Sequence, residues 1–218
     1  MFKIKESFIS SLETAKKLKT MLYLVTIIYV VSYIAGYIII QIETPAIMEF
    51  VEPIVDGISN NPVFIPIISA LEKGNVAFAI AYTFSINLAS GAFASTTLPG
   101  VIPLLGALIT ILVTGFRGFI IGIIFTLAAS MISDVNGFGW RILALGTLIL
   151  ELGAYVFSAT AGINISLSTI FPSRYQTESR WFAFKEAWKD AGRIYILVII
   201  LLALGAIWEM GGIYILTP

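Results

Sequence analysis

Between Val101 and Met131 the chain runs for 31 residues with a single charged side chain, Arg117. As a straight helix such a run measures about 46 Å, against roughly 30 Å of hydrocarbon in a bilayer. Nothing constrains the fold more, because so long an apolar run belongs in a membrane. Four further apolar runs, 21–42, 76–95, 142–168 and 194–214, reach or approach spanning length. A mean hydropathy of +0.96 and a charged fraction of 12% agree. The runs are continuous and rich in Leu, Ile, Ala and Gly, with none of the strand-like alternation that a barrel needs. The expected fold is therefore all-α: a polytopic helical membrane protein, with about five transmembrane helices plus interfacial amphipathic helices in one domain over 1–218. The excess length of 101–131, with Gly115 and Gly118 flanking Arg117, predicts a kink or unwinding there, read as one long bent crossing rather than a hairpin.

The segments between the runs are amphipathic. Residues 1–20 set Ile4, Phe8, Leu12 and Ala15 along one helical face among five lysines, as suits a cytoplasmic helix on the membrane surface. The 43–75 connection carries four prolines and an acidic helical face of Glu49, Glu52 and Asp56; the apolar stretch after Asn61 is too short to span and reads as re-entrant or flat. In the 172–193 linker Trp181, Phe184 and Trp188 line up beside Lys185 and Lys189, the pattern of an interfacial helix or of a partner-binding one. Lysine and arginine concentrate in 1–20 and 172–193 and are nearly absent from 43–75. That bias predicts a multi-pass protein of the cell membrane with its amino terminus cytoplasmic.

Cysteine and histidine are absent. Thiol chemistry, disulfides and imidazole catalysis are thereby excluded, and with them the usual transition-metal ligands, so no cofactor is expected. No lysine lies within a span, and Glu151 reads as having no acidic neighbour there, which leaves no dyad for intramembrane catalysis. Zero net charge without a basic tract speaks against nucleic acid.

Two ionisable groups inside spans stand out. Arg117 sits centrally in its run and Glu151 about 14 Å into the next, so depth and sign predict an ion pair facing the bundle interior. Such a pair can be structural or part of an ion or substrate path; two separate water-exposed groups are the other option. Small residues on the same segments, Gly91, Gly115, Gly118, Gly122 and Gly162, predict close helix packing, and "GFIIG" (118–122) matches the G-x-x-x-G spacing.

The order "FSINLASGAF", "PLLGALITILVTGFRGFIIG", "LILELGAYVFSATAGI" resembles the stage II sporulation protein M family over about 80–165. The resemblance implies matching positions at Asn87, Gly115, Gly118, Gly122, Glu151, Ala159, Ala161 and Gly162. Two departures are visible. The His-Gly that often precedes the family's glutamate is replaced by Thr147 and Leu148, and Thr114 stands where an asparagine is expected. The family's bacterial namesake resembles a scaffold that works with a cell-wall hydrolase. The expected function is accordingly a non-enzymatic assembly component, partnered by the lipid bilayer and by a second copy or another membrane protein. A transporter subunit or channel using the Arg117–Glu151 pair is the alternative.

Overall fold

The structure, a computed structural model, describes residues 2–42, 44–131 and 137–217. Eight α-helices follow one another among the described residues: α1 (Phe2–Lys17), α2 (Lys19–Gln41), α3 (Pro45–Ser59), α4 (Ile65–Glu72), α5 (Val76–Ile86), α6 (Leu105–Met131), α7 (Gly137–Ser168) and α8 (Arg180–Leu216). The protein is thus an all-α polytopic membrane protein. Among the described residues six stretches are long and apolar enough to cross a bilayer: the five expected runs and, in addition, Pro45–Glu72, which is broken between α3 and α4.

Three features depart from the sequence reading. First, α6 is an unbroken 27-residue α-helix, about 40 Å long, with no interruption at Gly115–Gly118. The irregularity lies one span earlier, where α5 continues as a π-helix over Asn87–Thr97. The chain then turns through a 3₁₀ segment at Leu98–Val101 and a left-handed Leu104 after Pro103. Pro99 and Pro103 remove backbone donors there, which ends one helix and delays the next. Second, the linker over 172–193 and the last span are not separate. From Arg180 onward they form the single 37-residue α8, because apart from Gly192 nothing in 180–204 disfavours a helix. Third, α1 also packs on the bundle: Ser11, Thr14 and Ala15 are buried against α8, while Phe8 and Leu12 of the expected membrane-facing side stay exposed; the side chain of Ile4 lies outside the described residues.

Helix pairs α7–α8 and α2–α6 share the most extensive contacts. In α2–α6 the glycines set the separation: a Cβ on Gly118 would stand 2.7 Å from the Tyr29 carbonyl oxygen, and one on Gly122 would overlap that of Tyr33. The glycines therefore permit close backbone approach. Gly162 of α7 does the same against Thr96 and Gly100, closing the turn onto α7. The main core consists of small and aliphatic residues of α7 and α8, among them Ala154, Ala159, Ile165, Ala187, Ile194 and Leu202.

A polar knot fastens α1 to this core. The Asp190 carboxylate, 3% exposed, accepts from Lys17 Nζ at 2.6 Å, Arg193 Nη1 at 3.0 Å and the Tyr175 hydroxyl at 2.8 Å. Asn164 Nδ2 donates in turn to Tyr175 at 2.8 Å, and Lys17 stacks on the Tyr175 ring. Burial pushes the Tyr175 phenol well above its usual range; the Asn164 bond opposes this and the neighbouring Asp190 charge adds to it. Tyr175 thus remains a donor to Asp190 up to strongly alkaline pH. Asp190→Ala should destabilise by about 2–3 kcal/mol, mostly by stranding Tyr175. Lys17 and Arg193 are nearly half exposed and can turn to water, so the ion pairs add little beyond that. Thermal unfolding in detergent measures the loss; a change under 0.5 kcal/mol would mean the knot is decorative.

Candidate functional site

The π-helix supplies the frame. A π-turn shifts the backbone register, and such segments are frequent at functional sites. Its polar side chains tie it down on both flanks. Thr96 bonds Ser158 of α7 at 2.8 Å, Thr97 donates to the Ser158 carbonyl at 2.9 Å, and Thr110 of α6 donates to the Thr96 carbonyl at 2.9 Å. Tyr195 of α8 reaches Thr97 at 2.8 Å.

Arg117 enters this frame from α6. Its Nη2 donates to the Gly91 carbonyl and to Ser95 Oγ, each at 3.1 Å, and the guanidinium carbon lies 3.9 Å from the Tyr155 ring centroid. Glu151, one turn before Tyr155 on α7, accepts from Asn87 Nδ2 at 2.6 Å. The predicted direct ion pair is therefore corrected. Among the described residues the ion pairs are Lys17–Asp190, Lys189–Glu186 and Arg193–Asp190, and Arg117 and Glu151 are not joined at that range. The reason is geometric: the Tyr155 ring and the π-helix carbonyl occupy the guanidinium, while Asn87 takes the carboxylate. The two charges still belong to one cluster and act on each other electrostatically.

Of the residues singled out in the sequence, Asn87, Gly91, Arg117 and Glu151 come together here. Gly91 has a specific task, since a Cβ on it would meet the Tyr155 ring at 2.9 Å. Gly115, Gly118 and Gly122 face α2 instead, with Gly115 the loosest, 3.3 Å from Ser32. Trp181, Phe184, Lys185, Trp188 and Lys189 lie apart, at the start of α8: the Trp181 and Phe184 rings stack at 5.6 Å, Lys185 lies over Trp181, and Lys189 pairs with Glu186 at 2.6 Å. Trp181 is 63% exposed.

Sequence reasoning missed Ser95, Tyr155 and Tyr29, all polar groups that read as ordinary span residues. It also gave Glu151 no acidic neighbour. The structure corrects this too: Glu209 of α8 and Glu151 line one small cavity of about 150 Å³ with Thr147. Nothing in the sequence pairs the two carboxylates; only the packing of α8 on α7 brings them to one cavity.

On the other side of α6, Arg117 also borders a crevice of about 470 Å³ against Ile54 and Gly57 of α3, together with Val113, Phe116 and Ile120. From the cluster that Val51 forms with Ile40 and Ile123 to this crevice, α3 lies beside the middle of α6. Its opposite face, Glu49, Glu52 and Asp56, is exposed.

Comparison with curated proteins and with solved structures finds no match. The family model for stage II sporulation protein M matches residues 24–210, a reach that takes in α2, α3, α4 and most of α8 beyond the 80–165 that carried the resemblance. With most of its length matched, the Arg117 and Glu151 cluster included, the chain belongs to the stage II sporulation protein M family.

Proposed function

We propose that the protein is a non-enzymatic component of a complex in the cell membrane, and that its α3 docks a second copy or another membrane protein. The observation that carries this reading is the acidic face of α3. Glu49, Glu52 and Asp56 are exposed while the helix lies beside the middle of α6, the most apolar part of a span. Three carboxylates at that depth cannot be left facing lipid. A cationic surface on a partner would neutralise them. The aromatic and cationic entry to α8, which packs against α1, offers a second contact surface at headgroup level.

The reading includes a topology of five crossings with the amino terminus and the 172–193 segment both cytoplasmic. Lys17 touches Asp190, so an even number of crossings separates them. The helices α2, α5 with its π-extension, α6 and α7 make four. Counting Pro45–Glu72 as another would put the two residues on opposite faces of the membrane. Single cysteines at Ser10 and Ser179 should therefore label from the same side, and labelling from opposite sides would end this topology.

The docking face is tested by Glu52→Cys and by the pair Glu52→Lys with Asp56→Lys. If α3 docks a partner, the cysteine is shielded from an impermeant thiol reagent in native membranes, and the double charge reversal lowers the mass of the complex extracted in mild detergent. Full labelling together with an unchanged mass would show that α3 lies in water and carries no partner. A second reading, a conduit for a small ion, is favoured by the Arg117, Glu151 and Glu209 cluster. Ion flux in liposomes lost on Glu151→Gln would support it.

A further inference from the structure

We infer that Glu151 and Glu209 together hold one monovalent cation, a proton or a sodium ion, inside the helix bundle. The two carboxylates reach the same cavity of about 150 Å³ from α7 and α8, and Thr147 lines it with them. That volume accommodates an ion or a few waters, a water's share of liquid being about 30 Å³. The charge balance asks for an occupant. Within the bundle the cluster holds two carboxylates and a single guanidinium, Arg117, whose Nη2 is committed to Gly91 and Ser95. One negative charge is left in a medium of low dielectric, where an unpaired ion is costly.

The polar groups around the pair point the same way. Tyr29 of α2 is 1% exposed and interacts electrostatically with both Arg117 and Glu151, yet its hydroxyl has no hydrogen-bond partner. The Thr147 hydroxyl oxygen, in the cavity itself, is likewise buried and unpartnered, as is Arg117 Nη1. Buried polar atoms in folded proteins almost always find partners, so an unpartnered Thr147 hydroxyl in the cavity of two carboxylates marks a place where something polar binds. That hydroxyl can accept from or coordinate a cation held by the carboxylates. The groups that act on Glu151 are Tyr29 from α2, Arg117 from α6, Tyr155 from α7 and the neutral Asn87 from the π-helix, and Tyr155 acts on Glu209 as well. Asn87 fixes one Glu151 oxygen, and Glu209 completes the site from the other wall. The inference does not depend on the docking role of α3.

The test is thermal unfolding of the intact protein in nanodiscs. Sodium is titrated against N-methylglucamine at constant ionic strength, and pH is varied separately in its absence. A bound sodium ion should raise the midpoint by about 5–10 °C at saturation, and Glu209→Gln should abolish the rise. A bound proton should instead raise the midpoint as pH falls, without regard to sodium, and Glu209→Gln should flatten that dependence. A midpoint indifferent to both, or a response that survives in Glu209→Gln, overturns the inference. Should the variant fail to fold, the infrared difference spectrum of the unmodified protein decides. Carboxylate or carboxyl bands changing with sodium or pH in a solvent-inaccessible environment sustain the site, and their absence removes it.

Discussion

Gly122→Leu should prevent α2 and α6 from closing and should remove folded protein from detergent extracts. The position has no slack. A Cβ there overlaps the Tyr33 carbonyl oxygen and stands 2.9 Å from the Tyr37 amide, and both obstacles are backbone. Relief requires the two helices to move apart along an interface that also seats Gly36 against Phe119 and Gly118 against Tyr29. Overpacking costs about 1–3 kcal/mol where side chains can yield, and more where they cannot. Even Gly122→Ala should lower the unfolding midpoint. Gly192→Ala supplies the contrast, because nothing stands within 4 Å of a Cβ at that site in α8. There alanine should stabilise by about 0.5–1 kcal/mol through helix propensity alone. Equal effects at the two positions would mean that propensity, and not the α2–α6 approach, governs glycine in this bundle.

That contrast also shows what the sequence could and could not convey. Long apolar runs are legible because the bilayer demands them, so the helices appear where they were expected. The glycines of α6 were legible as close-packing residues, but their partner was not; a bend and a close approach leave the same mark in a sequence. The π-helix gave no warning at all. The cross-helix bonds from Thr96, Thr97 and Thr110 that tie it down exist only after α6 and α7 have packed around it. Charges behaved similarly. Depth and sign brought Arg117 and Glu151 into one cluster, yet contact is a matter of rotamers and competing acceptors, here the Gly91 carbonyl and Ser95 Oγ. Asp190 was hidden by its surroundings: among Lys185, Lys189 and Arg193 it looks like one more solvated charge. Only its place beside Ala183, Ala187, Ala191 and Ile194 marks it as inward-facing.

Arg117→Met should be among the most destabilising single changes, at about 3–5 kcal/mol, because it leaves one carboxylate of the half-buried cluster without its compensating positive charge. The loss has three parts, and double-mutant cycles separate them. With Tyr155→Leu, the coupling should be about 1–2 kcal/mol, the range of a desolvated cation–π contact at 3.9 Å. With Ser95→Ala, it should be smaller, near 1 kcal/mol, since the Gly91 carbonyl keeps its bond to the guanidinium. With Glu151→Gln, the double variant should recover part of the Arg117→Met loss by removing one stranded carboxylate. It should not recover all of it, because the contacts of the guanidinium with the Tyr155 ring, the Gly91 carbonyl and Ser95 stay lost. This order distinguishes a guanidinium seated on the π-helix and the Tyr155 ring from one paired directly with Glu151. A direct pair would put the largest coupling on Glu151 and almost none on Tyr155, and it would make the Arg117→Met, Glu151→Gln double variant nearly as stable as the native chain. Additive losses with Tyr155→Leu would remove the ring from the site.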